Sequence, residues 1–179
     1  MSEVLFTALV LLVGGERVAE LVVSGRNAAW SNRRGGVESG RRHYPVMVGL
    51  HTALLLGAVV EVWLRHPPFS AALGWPMLIL VLMSQALRWW CIRTLGPQWN
   101  TRVIVVPNLP PVRTGPYRWF SHPNYVAVVV EGFALPLVHT AWITAVTFTV
   151  LNGVLLAVRL RVETAALAGL APAERTTRP

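Results

Sequence analysis

A chain of 179 residues in which 54% are hydrophobic and only 13% charged is too apolar for an ordinary soluble domain, and it points to the bilayer as solvent. All sixteen positive residues are arginine and all eight negative ones glutamate, which excludes Schiff-base lysines, the lysine of a phosphate-binding loop and aspartate-based metal sites. The net charge of +8 is interleaved with long apolar runs, the pattern of loops facing anionic lipid rather than of a nucleic-acid binder.

Met1-Ser2-Glu3 carries no basic n-region and no small-residue cleavage site follows, so the first apolar segment is expected to stay as an anchor. Stretches of about 20 apolar residues, enough for ~30 Å of hydrocarbon, predict spanning helices near 4–23, 45–64 and 73–92. Glu16, Arg17 and Glu20 fall inside the first of these, with Glu16 and Glu20 on one face, and read either as an interhelical or interfacial polar contact or as a site. Glu61 and Arg65 close the second helix and read as a solvated pair at the outer surface. In the third, Arg88 beside Trp89 and Trp90 fits an arginine snorkelling from an aromatic belt. Cys91 is the one cysteine and reads as a small buried residue; no Cys/His cluster has metal-ligand spacing, and no metal is expected.

The apolar stretch 125–158 is too long for one crossing, and Pro136 with His139-Thr140 marks its break, which predicts a hairpin of roughly 124–138 and 141–161. Glu131, two turns into the fourth helix, needs a partner at that depth and is a minor site candidate. The fold class is therefore an all-α integral membrane protein with five transmembrane helices, the last two a tight helical hairpin. Residues 168–179 lack apolar periodicity and read as a frayed tail, leaving 1–167 as one membrane-embedded domain.

The arginines test the helix count. Arg26, Arg33, Arg34, Arg41 and Arg42 lie in 25–44; Arg93, Arg102, Arg113 and Arg118 in 93–122; Arg159, Arg161, Arg175 and Arg178 at the end. Five spans place all three groups on one side, the cytoplasmic one, with the N-terminus outside and the C-terminus in the cytoplasm.

Two polar segments share that side. In 112–125, Gly115-Pro116 signals a turn, His122 before Pro123 is pushed out of the helical region, and a helix starts at about Pro123 whose unbonded N–H groups suit an anion. Tyr117 and Tyr125 flank the turn and can offer aromatic surface and hydroxyls to an adenosine; such a loop is equally an interface anchor. At the end of the fifth helix, Arg159 and Glu163 are four apart and share a face, either as an ion pair or as part of a membrane-edge pocket with 112–125.

Gly115-Pro116-Tyr117, then His122-Pro123-Asn124-Tyr125, then Arg159-x-x-x-Glu163 after a helical hairpin resembles the isoprenylcysteine carboxyl methyltransferase family. Arg26-Asn27-Ala28-Ala29-Trp30, Gly35-Gly36-Val37-Glu38 and His43-Tyr44-Pro45 are similar to its small bacterial members, so the resemblance extends to about Leu167. It implies S-adenosylmethionine-dependent methyl transfer to an oxygen of a lipophilic substrate, in a cofactor pocket at the cytoplasmic edge that opens sideways to lipid. By the same resemblance Tyr117, His122, Pro123, Asn124 and Tyr125 line the cofactor, Glu163 binds its polar end, Pro111 and Val112 belong to that pocket, and Arg159 faces the substrate. Ser121 in place of an arginine and Thr164 in place of a second acid depart from the family pattern and bear on the prenylcysteine acceptor; the resemblance to the small bacterial members implies instead long-chain polyketide products such as alkylpyrones or alkylresorcinols. The implied partners are a lipophilic small molecule and the bilayer, without nucleic acid; the oligomeric state stays open. Alternatives are a membrane NADPH-dependent sterol-type reductase, a phospholipid methyltransferase, and a non-catalytic lipid-binding or transport protein, for which charges would follow a polar path through the bundle.

Overall fold

The computed structural model describes residues 1–40, 43–107, 109–110 and 112–170. Five helices account for most of them: α1 (Glu3–Asn32), α2 (Tyr44–Arg65), α3 (Ala71–Leu95), α4 (Pro123–Leu137) and α5 (Trp142–Leu170). Three are long and apolar enough to cross a membrane by length and composition: Tyr44–Arg65, α3 with its continuation to Gln98, and Trp142–Ala166. Their outward faces are apolar, with Leu64 77% and Val154 65% exposed, as lipid contact requires. The protein is thus a membrane protein. α4 is a shorter apolar helix of 15 residues, about 22 Å at 1.5 Å per residue.

Local signals explain the boundaries. Ser2 caps α1 by accepting from the Leu5 amide, Pro45 and Pro123 occupy first turns, and Leu95-Gly96-Pro97 stops α3 with Gly96 at φ 52°. α1 runs nine residues past the expected 4–23 span because its polar last turns have tertiary partners. The Ser24 hydroxyl donates to Asn100 Oδ1 at 2.7 Å, and Asn27 Nδ2 donates to the carbonyls of Gly96 (3.2 Å) and Trp99 (2.7 Å). α5 likewise continues to Leu170, into the segment read as a tail from 168; residues 171–179 lie outside the described residues.

The hairpin turns at Thr140, whose φ is +57°, and α4 packs so closely on α5 that a Cβ at Gly132 would overlap the Phe148 ring. The apolar core lies at this end of the bundle. It combines Phe6, Val10 and Val13 of α1, Ala58 and Val62 of α2, Val81 of α3, and Ala134, Leu135, Val138 and Ala141 of the hairpin. At the other end, two three-residue strands that the sequence reading did not anticipate, β1 (Val37–Ser39) and β2 (Val103–Val105), pair antiparallel with Glu38 opposite Ile104.

Two readings of charged residues are corrected. Glu61 is buried, not solvated: Oε1 accepts from the Ile143 amide (3.1 Å), and Oε2 from the Thr144 amide (2.7 Å) and hydroxyl (2.8 Å). It satisfies amides of the first turn of α5 that have no intrahelical acceptor, and its charge suits that end of the helix dipole. Arg65 remains exposed, 3.7 Å from Glu61. Arg88 does not snorkel. It is 4% exposed and points into the bundle, where Nη2 donates to Glu131 Oε2 at 2.5 Å and Nε lies 3.5 Å from Glu20 Oε1. Arg17 completes the cluster, donating to Glu20 Oε2 (2.8 Å) and Gln85 Oε1 (2.8 Å) and lying 3.4 Å from Glu131. A hydropathy pattern cannot distinguish lipid-facing from bundle-facing positions near a helix end; the pairing of two arginines with two glutamates decides it here.

Candidate active site

The end of α3, strand β2, a 3₁₀ turn at Gly115–Arg118, the start of α4 and the end of α5 converge on one cavity of about 610 Å³. That volume is within the range for sites holding a nucleoside-sized ligand. The 3₁₀ turn exists because Gly115 takes φ +55°, where a side chain would also strike Thr94. It brings Tyr117 to the cavity wall, where burial foremost, with the Cys91 thiol next, pushes its hydroxyl well above the ordinary tyrosine range. Tyr117 is therefore a neutral donor at physiological pH.

α4 opens at His122-Pro123-Asn124-Tyr125. Pro123 is buried in the first turn and does not line the cavity; His122, Asn124 and Tyr125 do. The His122 ring stacks on Tyr125 with centroids 5.2 Å apart and planes 12° from parallel. Across from them α5 supplies Arg159 and Glu163. These two do not pair with each other; the Tyr125 hydroxyl lies between them, accepting from Arg159 Nε at 2.9 Å and donating to Glu163 Oε2. The other Glu163 oxygen, Oε1, lies 3.7 Å from His122 Nδ1. Arg159 is 8% exposed and is further held by Nη1 on Met47 Sδ at 2.8 Å. Among the described residues its Nη2 has no protein partner, and with only Nε and one Nη1 hydrogen engaged, three of the five guanidinium N–H donors are left for a ligand.

A second, smaller cavity of about 140 Å³ lies inside the bundle, and Trp99, Asn124, Tyr125 and Arg159 line both. The inner cavity is mainly apolar, with Val48, Leu55, Val128 and Leu155 among its walls. On the shared wall Trp99 Nε1 and Asn124 Oδ1 are buried without a protein partner, a donor and an acceptor whose desolvation a bound ligand would offset.

Of the residues implicated by sequence, Tyr117, His122, Asn124, Tyr125, Arg159 and Glu163 meet at one cavity. Val112 does not line it, and Pro111 lies outside the described residues. Sequence reasoning missed Trp99 and β2. The β-branched run Val103-Ile104-Val105-Val106 ending at Pro107 is a strand signal that could have revealed β2. Nothing local marks Trp99, which is placed by Asn27 of α1 holding its carbonyl.

A family model described as the isoprenylcysteine carboxyl methyltransferase (ICMT) family matches residues 77–169, a span that contains all four residues of the shared wall. A protein of Bacillus subtilis (strain 168), whose name is given as "Uncharacterized protein YpbQ", is 37% identical over 164 residues, covering 91% of this chain and 96% of its own. An "Uncharacterized protein" of Haemophilus influenzae (strain ATCC 51907 / DSM 11121 / KW20 / Rd) is 24% identical over 157 residues, 87% of this chain and 91% of its own. No solved structure matches. With more than half of its length inside the family model and a relative of that identity along nearly the whole chain, this protein belongs to the isoprenylcysteine carboxyl methyltransferase family of membrane methyltransferases.

Proposed function

We propose that the protein is an S-adenosylmethionine-dependent O-methyltransferase acting on a lipophilic acceptor, a carboxylate or acidic hydroxyl. In this reading five helices span the bilayer, the N-terminus is outside, and the larger cavity lies at the cytoplasmic edge among the arginine-rich segments. The observation that carries the reading is the shared wall: a roomy cavity of mixed lining, with Tyr117, His122 and Glu163 among its polar groups, and a small, mainly apolar one meet at Arg159, Tyr125, Asn124 and Trp99. A two-substrate transfer between a nucleoside cofactor and a lipid needs that adjacency.

The residues fit the cofactor. Asn124 Oδ1 and Trp99 Nε1 are unsatisfied polar atoms on the wall, Tyr117 is a neutral donor, and Glu163 offers a carboxylate to an ammonium group. When bound, the cofactor supplies an electrophilic methyl group: the acceptor oxygen forms the new C–O bond as the C–S bond breaks, and the bonding pair leaves with sulfur. Arg159 holds and orients that oxygen through Nη2, and its positive charge favours the ionised acceptor, so no strong general base is needed. Tyr125 fixes the guanidinium and the Glu163 carboxylate through one hydroxyl, tying the acceptor-holding and cofactor-holding groups to a single geometry. His122 braces Tyr125 by stacking. Methyl transfer by in-line displacement depends mainly on such alignment.

The test is incubation of the detergent-purified protein with methyl-labelled S-adenosylmethionine and either a resorcinol bearing a pentadecyl chain or N-acetyl-S-farnesylcysteine. Label is expected to enter the organic phase as a methyl ether or ester with at least one of them. Label confined to the aqueous phase with both contradicts the proposal.

A further inference from the structure

The floor of the inner cavity is more polar than a site for a plain hydrocarbon requires. Glu20, Arg17 and Arg88 line it, and Glu20 and Arg88 are each 4% exposed. Glu20 Oε1 and Arg88 Nε face each other as an ion pair at 3.5 Å, but neither makes a hydrogen bond among the described residues; Arg17 Nε is likewise buried without one. Leaving such groups without hydrogen bonds in an apolar bundle is costly, and more so when they are charged. A cluster needed only to hold helices together would use this capacity up. The fourth member, Glu131, is bonded to Arg88 and does not line the cavity.

The cavity's depth follows from α5, whose residues Asn152, Leu155, Leu156 and Arg159 lie along it. Seven residues at 1.5 Å each separate its two ends by about 10 Å. Its volume, about 140 Å³, is close to the ~150 Å³ that accommodates a benzene ring. A hydroxyl can donate to Glu20 and accept from an arginine N–H at once, which a hydrocarbon cannot.

Resting on the methyltransferase reading, we infer that Glu20 and Arg88 form a second acceptor subsite. The acceptor head is one compact ring that presents the oxygen to be methylated at Arg159 and a second hydroxyl to the Glu20/Arg88 floor. Glu20 and Arg88 determine specificity; the transfer itself takes place at the shared wall.

The experiment is calorimetric titration of the full chain in detergent with two matched lipids, a resorcinol and a phenol bearing the same pentadecyl chain, using wild type, Glu20→Gln and Glu131→Gln. S-adenosylhomocysteine is titrated separately into each protein. Wild type is expected to bind the resorcinol at least about tenfold more tightly, the loss expected when a buried charged group forfeits its hydrogen bond. Glu20→Gln should bring the two affinities within about threefold. Glu131→Gln, which disturbs the same cluster away from the cavity, should preserve the ratio. Equal affinities in wild type, binding of neither lipid, or equal loss of discrimination in both variants overturns the subsite. Failure of wild type to bind S-adenosylhomocysteine would instead overturn the methyltransferase reading, and the subsite with it.

Discussion

Replacing Arg159 with alanine is expected to lower methyl transfer by a hundred- to a thousandfold while changing S-adenosylhomocysteine affinity by less than about threefold. Arg159 lines both cavities, and three of its N–H donors, both on Nη2 included, have no protein partner among the described residues, so it is placed to hold an acceptor oxygen. Glu163 is spared in the variant because it keeps its bond from the Tyr125 hydroxyl, which loses only the bond it accepts from Arg159. Lysine should restore only a small part of the activity. Its ammonium is a single point charge and cannot bond Tyr125, Met47 and an acceptor in the fixed directions of a guanidinium. Single-turnover methyl transfer and calorimetry on the same preparations separate the two effects. Near-wild-type turnover in Arg159→Ala, or an activity loss that merely follows a loss of cofactor affinity, contradicts the assigned role.

The second large effect concerns stability. Arg88→Ala leaves Glu131 and Glu20 facing Arg17 alone, an uncompensated negative charge in a buried cluster, and should cost about 3–5 kcal/mol. For a chain of this size that corresponds to a fall in Tm of roughly 6–20 °C. The double variant Arg88→Ala/Glu131→Ala removes one charge of each sign and leaves Arg17 paired with Glu20, so it should melt above Arg88→Ala despite carrying more substitutions. Thermal melts in one detergent check this ordering. A double variant less stable than Arg88→Ala would show that packing, rather than charge balance, governs the cluster.

The elements written in local composition were legible in the sequence. Apolar runs located α2, α3, α4 and the start of α5 to within a few residues, though α5 runs nine residues past its expected end, and Pro136 with Thr140 marked the hairpin turn. What depended on distant partners was not. The polar end of α1 is helical because Ser24 and Asn27 bond groups some seventy residues away, so hydropathy ended the helix too soon. Glu61 read as solvated because the amides it caps begin at Ile143. Arg88 read as an interfacial residue because its acids belong to α1 and α4.

At the site, the i, i+4 spacing correctly put Arg159 and Glu163 on one face, but spacing alone could not show that Tyr125 separates them. The resemblance singled out Tyr117, His122, Asn124 and Tyr125, which line the larger cavity, together with Pro123, which does not. Beyond Asn124, Tyr125 and Arg159 it named none of the residues around the inner cavity, whose walls are drawn from all five helices, and it did not include Trp99 on the boundary.

The methyltransferase reading stands or falls on whether the larger cavity binds S-adenosylmethionine with Glu163 at its polar end. Calorimetric titration of the purified chain with S-adenosylhomocysteine, with NADPH as the control and Glu163→Ala beside wild type, tests it most directly. Wild type is expected to bind S-adenosylhomocysteine with micromolar affinity, weakened at least about tenfold in Glu163→Ala, and to give no heat with NADPH. A folded wild-type protein that binds NADPH instead, or neither compound, would contradict it.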